Sequence, residues 1–224
     1  MPPVAYYWLP TMTISGLYAI ADSSYDPFGS LAVLVRAYLD GGSRVVQLRM
    51  KDAGTRTMME TAVEIMKLKA EYDFQFIVND YVDLALELGA DGVHVGANDE
   101  GVGSIRARSD NRLIVGYSAH SLDEAVTAAR SGADYVAFGA IFPTKTKGPG
   151  HPVQGIDKLA SVVRASSRPV VAIGGIGRDN IDDVMRAGAA SAAMITALAE
   201  APDVAVETRW FVNRIEGACR GLDG

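Results

Sequence analysis

Short runs of branched apolar residues recur along this chain, and each run is separated from the next by room for about one helix. They fall at 16–21, 44–49, 74–79, 91–96, 112–117, 134–139, 169–174 and 191–196. Several are almost continuously hydrophobic, the pattern of a strand covered on both faces. The segments between them have helical spacing instead. Residues 55–71 place Met58, Met59, Ala62, Ile65, Met66 and Leu68 at helical intervals, and residues 121–130 open with a Ser121–Glu124 capping box.

An internal echo reinforces this alternation. Gly89-Ala-Asp-Gly-Val-His-Val-Gly96 is matched by Gly132-Ala-Asp-Tyr-Val-Ala-Phe-Gly139 and, more loosely, by Gly188-Ala-Ala-Ser-Ala-Ala-Met-Ile195. In each copy the first glycine is placed to end a helix in the left-handed conformation before the chain enters a strand. Eight such units joined by right-handed crossovers predict an α/β fold, a single (β/α)8 TIM barrel over 16–224, with 1–15 as a short N-terminal extension. An open doubly wound sheet is the rival, disfavoured because no Gly-x-Gly-x-x-Gly follows the first run.

The net charge of −6 and pI near 5.1 lack the basic excess of a nucleic-acid surface, yet a few cations in one pocket still suit an anionic substrate. The lone cysteine, Cys219, excludes an internal disulfide and suits a reducing compartment. No apolar run approaches the ~20 residues of a membrane span. Residues 1–15 lack the basic and apolar regions of a signal peptide. These features predict a cytoplasmic protein that acts on small molecules, with no nucleic-acid or membrane partner. They leave the oligomeric state open, a homo-oligomer included.

In a TIM barrel the chemistry belongs at the C-terminal ends of the strands, and there the polar residues collect. The second run leaves through Gln47, Arg49 and Lys51, the third through Asn79 and Asp80, the fourth through Gly96-Ala-Asn-Asp99. The fifth leaves through Tyr117-Ser118-Ala119-His120, and the sixth through Thr144-Lys145-Thr146-Lys147-Gly148-Pro149-Gly150. The seventh ends in Gly174-Gly175 and the eighth in Thr196. Arg49 and Lys51 supply cations for an anion. Asp80 and Asp99 are hard oxygen ligands suited to Mg²⁺, which takes one or two carboxylates plus substrate phosphates. The hydroxyls, lysines and glycines after the sixth run, with Gly174-Gly175 and the turn after the eighth, suit a second phosphate. Two phosphorylated substrates, one of them a metal diphosphate, would need such a face. Plainer readings stand beside these: Asp80 as the cap of a helix from Tyr81, Asp99 as a loop carboxylate, and Arg49 and Lys51 as solvated charges. His94 falls inside the barrel, His120 has a neighbour to hydrogen-bond, and His151 lies in a loop.

Six ordered motifs carry a family resemblance: Gln-Leu-Arg-Met-Lys-Asp (47–52), Val-Asn-Asp-Tyr-Val-Asp-Leu-Ala (78–85), Gly-Ala-Asp-Gly-Val-His-Val-Gly (89–96), Ser-Ala-His-Ser (118–121), Phe-Pro-Thr-Lys-Thr-Lys (142–147) and Val-Ala-Ile-Gly-Gly-Ile (171–176). From Gly16 to about Leu198 the chain resembles the thiamine-phosphate synthases, which join hydroxymethylpyrimidine diphosphate to thiazole phosphate and release diphosphate. The resemblance implies that Gln47 contacts the aminopyrimidine, while Arg49, Lys51, Asn79, Ser118 and Lys147 hold the diphosphate. Arg49, Lys51, Ser118 and Lys147 would be the catalytic set, and Asp80 and Asp99 the Mg²⁺ ligands. Thr144, Thr146, Gly174, Gly175, Ile195 and Thr196 would cradle the thiazole phosphate. One departure stands out: the family usually has Gln-Glu-Asp where this chain has Ala97-Asn98-Asp99, which bears on the geometry of the metal loop. Two other functions fit parts of the pattern. A thiazole tautomerase of the same fold would use His120, and a non-catalytic barrel would only bind thiamine phosphate.

Overall fold

The computed structural model describes residues 14–146 and 152–220, and within them eight parallel strands close a barrel in chain order. The strands are β1 (Gly16–Asp22), β2 (Val45–Arg49), β3 (Gln75–Asn79), β4 (Gly92–Val95), β5 (Ile114–Ala119), β6 (Tyr135–Phe138), β7 (Val170–Ile173) and β8 (Ser191–Met194). Around them run α1 (Leu31–Asp40), α2 (Thr55–Lys67), α3 (Val82–Leu88), α4 (Val102–Ser109), α5 (Leu122–Arg130), α6 (Ile156–Ala165), α7 (Ile181–Arg186), a short α8 (Thr196–Ala199) and α9 (Val204–Arg220). The barrel closes where β8 pairs with β1, Gly16 opposite Ser191. The architecture is the expected (β/α)8 barrel. Of the proposed N-terminal extension, residues 1–13 lie outside the described residues; Ile14 is buried among the side chains that fill the barrel.

Strand alternation separates two cores. One set of positions points inward and packs as a cluster that includes Tyr18, Ile20, Val45, Ile77, Tyr135 and Val171. The alternate set, among them Val46, Leu48, Phe76, Val78 and Phe138, meets the helices in a larger cluster with Leu34, Ile65, Leu159 and Phe211. This double burial explains why the strands read as continuous apolar runs. β5 starts two residues later than its hydrophobicity predicts, because Asp110 and Asn111 both adopt positive φ and the Arg112 N–H is still bonded back to Ser109. It then continues to Ala119, so Ser118 stands on the strand and not in its exit loop.

The Gly-Ala-Asp echo has a structural meaning at the N-terminal end of the barrel. Gly89 caps α3 with φ 66°, and Gly132 and Gly188 take positive φ just after α5 and α7. The aspartate that follows reaches back to the preceding strand. Asp91 accepts the Phe76 N–H at 2.6 Å and holds Lys69 at 2.6 Å. Asp134 accepts the Val115 N–H at 2.7 Å and pairs with Arg106, whose other nitrogens bind the carbonyls of Leu113 and Gly132. In the third copy Ala190 keeps only the backbone part, its N–H donating to Val170. Asp91→Ala would leave the buried Phe76 N–H without its acceptor, at a cost of about 1–3 kcal/mol. Urea unfolding should show that loss, while activity per folded molecule stays at the wild-type level because Asp91 sits at the opposite end from the candidate site.

Candidate active site

At the C-terminal rim of β1 and β2, Asp22 and Arg49 are register partners and form an ion pair. Asp22 is buried, and its other carboxylate oxygen accepts the Ser24 N–H at 2.9 Å. The Arg49 guanidinium is therefore anchored before any ligand arrives. Sequence reasoning treated Arg49 as an unattached cation and passed over Asp22. The available signal was an acid at the last position of β1, level with the arginine that ends β2.

Beyond β3, Asn79 is buried, and Asp80 adopts φ 65°, a left-handed conformation that Asp tolerates better than most residues. The Asp80 N–H donates to the carbonyl of His94 at 2.8 Å, which ties this turn to β4. Helix α3 starts only at Val82, with Tyr81 at its N-cap and no side-chain cap bond, so the capping role considered for Asp80 does not hold. The Asp80 carboxyl lies 3.9 Å from the Lys51 ammonium and faces Asp99. Burial first, and the Asp99 charge second, hold it above the ordinary aspartate range, with Lys51 and Arg49 pulling the other way. Two carboxylates that repel each other in a half-buried cleft are what a hard divalent cation relieves. Arg49 and Lys51 thus stand among three acids, Asp22, Asp80 and Asp99, a set that a bare diphosphate would find poorly matched. Among the described residues no group of three or more His, Cys, Asp or Glu is placed to hold a metal ion by itself. A cation here would take its other ligands from substrate and water.

The loop after β4 is ordered by Asp99 itself. Its carboxylate accepts the Gly96 N–H at 2.7 Å, and its own N–H donates to the Gly96 carbonyl at 3.2 Å. Neither bond uses a side chain at 97 or 98, so Ala97 and Asn98 leave this turn intact.

Across the rim stand two hydroxyls and a glycine turn, with the exposed Lys145 between the two threonines in sequence. The Thr144 and Thr146 hydroxyls lie 2.7 Å apart, and the Thr146 N–H also points to Thr144 Oγ1 at 3.3 Å. Gly174 and Gly175 have positive φ and press against the loop after β6. A Cβ on Gly175 would lie 2.4 Å from the Pro143 carbonyl oxygen, so only glycine fits. Asn180, which sequence reasoning missed, pins the turn by accepting the Gly177 N–H at 2.9 Å and donating to Gly175 O at 3.0 Å. After β8, Ile195 is the N-cap of α8 and Thr196 its first residue. The loops after β6, β7 and β8 are neighbours in the barrel. A glycine turn after the seventh strand and a short helix after the eighth is the usual phosphate site of this fold.

Between these halves lies Ser118, whose Oγ is 2.8 Å from His94 Nε2. Gln47 is buried inside the barrel and donates from Nε2 to the Tyr18 hydroxyl at 2.8 Å. His120 is exposed, with Nδ1 3.0 Å from the Gly139 carbonyl oxygen and its backbone N–H on Glu124 at 2.7 Å. Its ring is thus fastened to the backbone beside the site. Lys147 and His151 lie outside the described residues.

Asp80→Asn removes one of two facing carboxylates and keeps a residue that accepts positive φ. Relief of that repulsion is worth on the order of 1 kcal/mol, or about 2–4 °C in Tm for a chain of this size. With chelator present the variant should melt above the wild type, and a lower Tm would contradict the electrostatic account of this pair.

The sequence pattern of the thiamine monophosphate synthase family matches residues 17–198. A thiamine-phosphate synthase of Chloroflexus aurantiacus is 44% identical over 193 residues, covering 86% of this chain and 89% of the relative. One from Pyrococcus abyssi is 43% identical over 200 residues, covering 89% and 94%. Among solved structures, a thiamine phosphate pyrophosphorylase from Pyrococcus furiosus matches with a TM-score of 0.83 at 37% identity, covering 91% of this chain and 96% of that one. With a closed eightfold barrel, polar groups gathered on its C-terminal rim and a match across nearly its whole length, this chain belongs to the thiamine monophosphate synthase family.

Proposed function

We propose that this chain joins hydroxymethylpyrimidine diphosphate to thiazole phosphate, releasing diphosphate and forming thiamine phosphate. The observation that carries the reading is the division of one rim into two anion sites. Arg49, Lys51, Asp80 and Asp99 gather on one side. The hydroxyls of Thr144 and Thr146 and the turn at Gly174-Gly175 lie on the other. A tautomerase would have no diphosphate to bind and no use for the charged half.

In this reading Gln47 meets the aminopyrimidine, while Arg49, Lys51, Asn79, Ser118 and Lys147 hold the diphosphate. Asp80 and Asp99 would hold Mg²⁺, which when bound supplies positive charge to the diphosphate oxygens. The bond between the pyrimidine methylene carbon and the diphosphate oxygen breaks, and its electron pair leaves with diphosphate. The electron-rich aminopyrimidine spreads the resulting positive charge. The thiazole nitrogen then donates its lone pair to the methylene carbon and becomes the thiazolium. No proton moves, so no general base is needed. The protein positions the two partners and neutralises the leaving group. Thr144, Thr146, Gly174, Gly175, Ile195 and Thr196 fix the thiazole phosphate, whose charge does not change during the reaction.

Incubation of the purified protein with both substrates and Mg²⁺ should yield thiamine phosphate and diphosphate, and chelator should stop it. Isomerisation of a thiazole carboxylate without coupling would overturn the assignment. Negative charge grows on the departing diphosphate, so Lys51→Ala should lower kcat on the order of 10²–10³-fold. A rise confined to KM for the pyrimidine diphosphate would mean that Lys51 only binds the ground state.

A further inference from the structure

Inside the barrel, four hydrogen bonds form an unbroken line across the interior. Gln47 Nε2 donates to Tyr18 Oη at 2.8 Å, Tyr18 Oη meets Tyr135 Oη at 2.8 Å, Tyr135 Oη meets His94 Nδ1 at 3.0 Å, and His94 Nε2 meets Ser118 Oγ at 2.8 Å. Both tyrosines are fully buried, and burial pushes both phenols well above the usual tyrosine value, so each keeps its one proton. The line is also built into the backbone. A Cβ at Gly116 would lie 2.0 Å from Tyr135 Cζ and 2.5 Å from His94 Nδ1, so a glycine opposite these rings is what admits them. The Tyr135 ring stacks on His94 and meets Tyr18 edge-on.

One proton per hydroxyl gives the line a direction. Because the Gln47 amide N–H donates to Tyr18, the Tyr18 proton goes to Tyr135 and the Tyr135 proton to His94 Nδ1. His94 then carries its proton on Nε2 and donates to Ser118, whose own proton is left to point into the site. A doubly protonated ring would turn the Tyr135 proton back onto Tyr18 and strand a buried donor. The two ends therefore present opposite characters: the Gln47 carbonyl oxygen is an acceptor and the Ser118 hydroxyl a donor. That matches an amino group at one end of a substrate and anionic oxygens at the other. Rotating the Gln47 amide by half a turn would reverse every bond, leaving Ser118 lone pairs facing a diphosphate.

We propose that Tyr18, Tyr135 and His94 form a one-way hydrogen-bond wire that couples amino-group recognition at Gln47 to donation by Ser118, which makes Tyr135 a positioning residue that determines specificity. The inference rests on the synthase reading, since that reading places both ends of one substrate at Gln47 and Ser118. An oxo group in place of the amino group would need a donor from Gln47. In the wild type, supplying that donor reverses the wire and forfeits the Ser118 bond to the diphosphate. With the wire cut, Gln47 can turn alone.

The test compares kcat/KM for the aminopyrimidine diphosphate with that for its oxo counterpart, in wild type, Tyr135→Phe and Tyr18→Phe, with folding checked by circular dichroism. Any intrinsic difference in reactivity between the two substrates is common to all three proteins and cancels when the ratios are compared. The preference for the amino substrate should fall by roughly tenfold or more in both variants, the scale of one lost charge-assisted hydrogen bond. Equal losses on both substrates, with the ratio unchanged, would reduce the line to packing and overturn the inference. Wild-type protein that forms no thiamine phosphate at all would refute the synthase reading instead.

Discussion

A barrel of eight strands has no open edge and very little interior space, so a polar side chain on an inward position has few partners beyond the backbone and other inward positions. The strand register decides which partners exist. Tyr18 and Gln47 come from adjacent strands, as do Gly116 and Tyr135, and His94 lies opposite Gly116. Removing the side chain at one of those positions creates the gap in which the Tyr135 and His94 rings stack. This polar seam runs upward to the catalytic rim. Its members cannot move independently, because each tyrosine hydroxyl and the neutral imidazole has a single proton to give.

Apart from the Asp22–Arg49 pair, the two ends of the barrel manage charge in opposite ways. At the N-terminal end, Asp91 and Asp134 each serve a strand N–H and a cation together, so their charge is compensated within the fold. At the C-terminal end, Asp80 is raised by burial and by Asp99, and its nearest cation is held at 3.9 Å. The first arrangement secures the closure of the sheet. The second keeps unfavourable electrostatics in reserve for a ligand to relieve, a common cost of a site that binds charge. The left-handed conformation of Asp80 belongs to the same economy, since its N–H is bound to β4 while its side chain is turned toward Asp99.

The fold was legible because hydrophobic periodicity and turn glycines are local signals, and double burial makes parallel strands conspicuous. The rim residues were legible because alternation alone carries Gln47, Arg49 and Lys51 to one side. The resemblance to a family added the roles that spacing could not. What stayed hidden was relational. Asp22 gains meaning only from its register with Arg49, Tyr18 and Tyr135 read as ordinary core aromatics, and Asn180 acts on a turn several residues before it. The Gly-Ala-Asp echo was seen, but its aspartate bonds to a different strand from the one it introduces. Ser118 looked like a loop residue because the delayed start of β5 could not be anticipated from hydrophobicity when Asp110 and Asn111 occupy left-handed positions.

The proposed chemistry asks different things of the two anion sites on the rim. An interaction accelerates a reaction only where it strengthens on the way to the transition state. In a dissociative substitution the departing diphosphate gains negative charge, so formal charges at Arg49 and Lys51 are placed where they gain strength. The thiazole phosphate begins and ends with the same charge, and strong cations beside it would tighten binding without lowering the barrier. In that reading the Thr144 and Thr146 hydroxyls, the glycine turn that admits close backbone approach and the exposed Lys145 beside them serve binding and not the barrier. Ser118 stands between the two regimes. As a hydroxyl it carries no charge, but on the proposed wire it accepts from His94 and keeps its one proton for the leaving group, so orientation would do for it what charge would do for the neighbouring arginine and lysine.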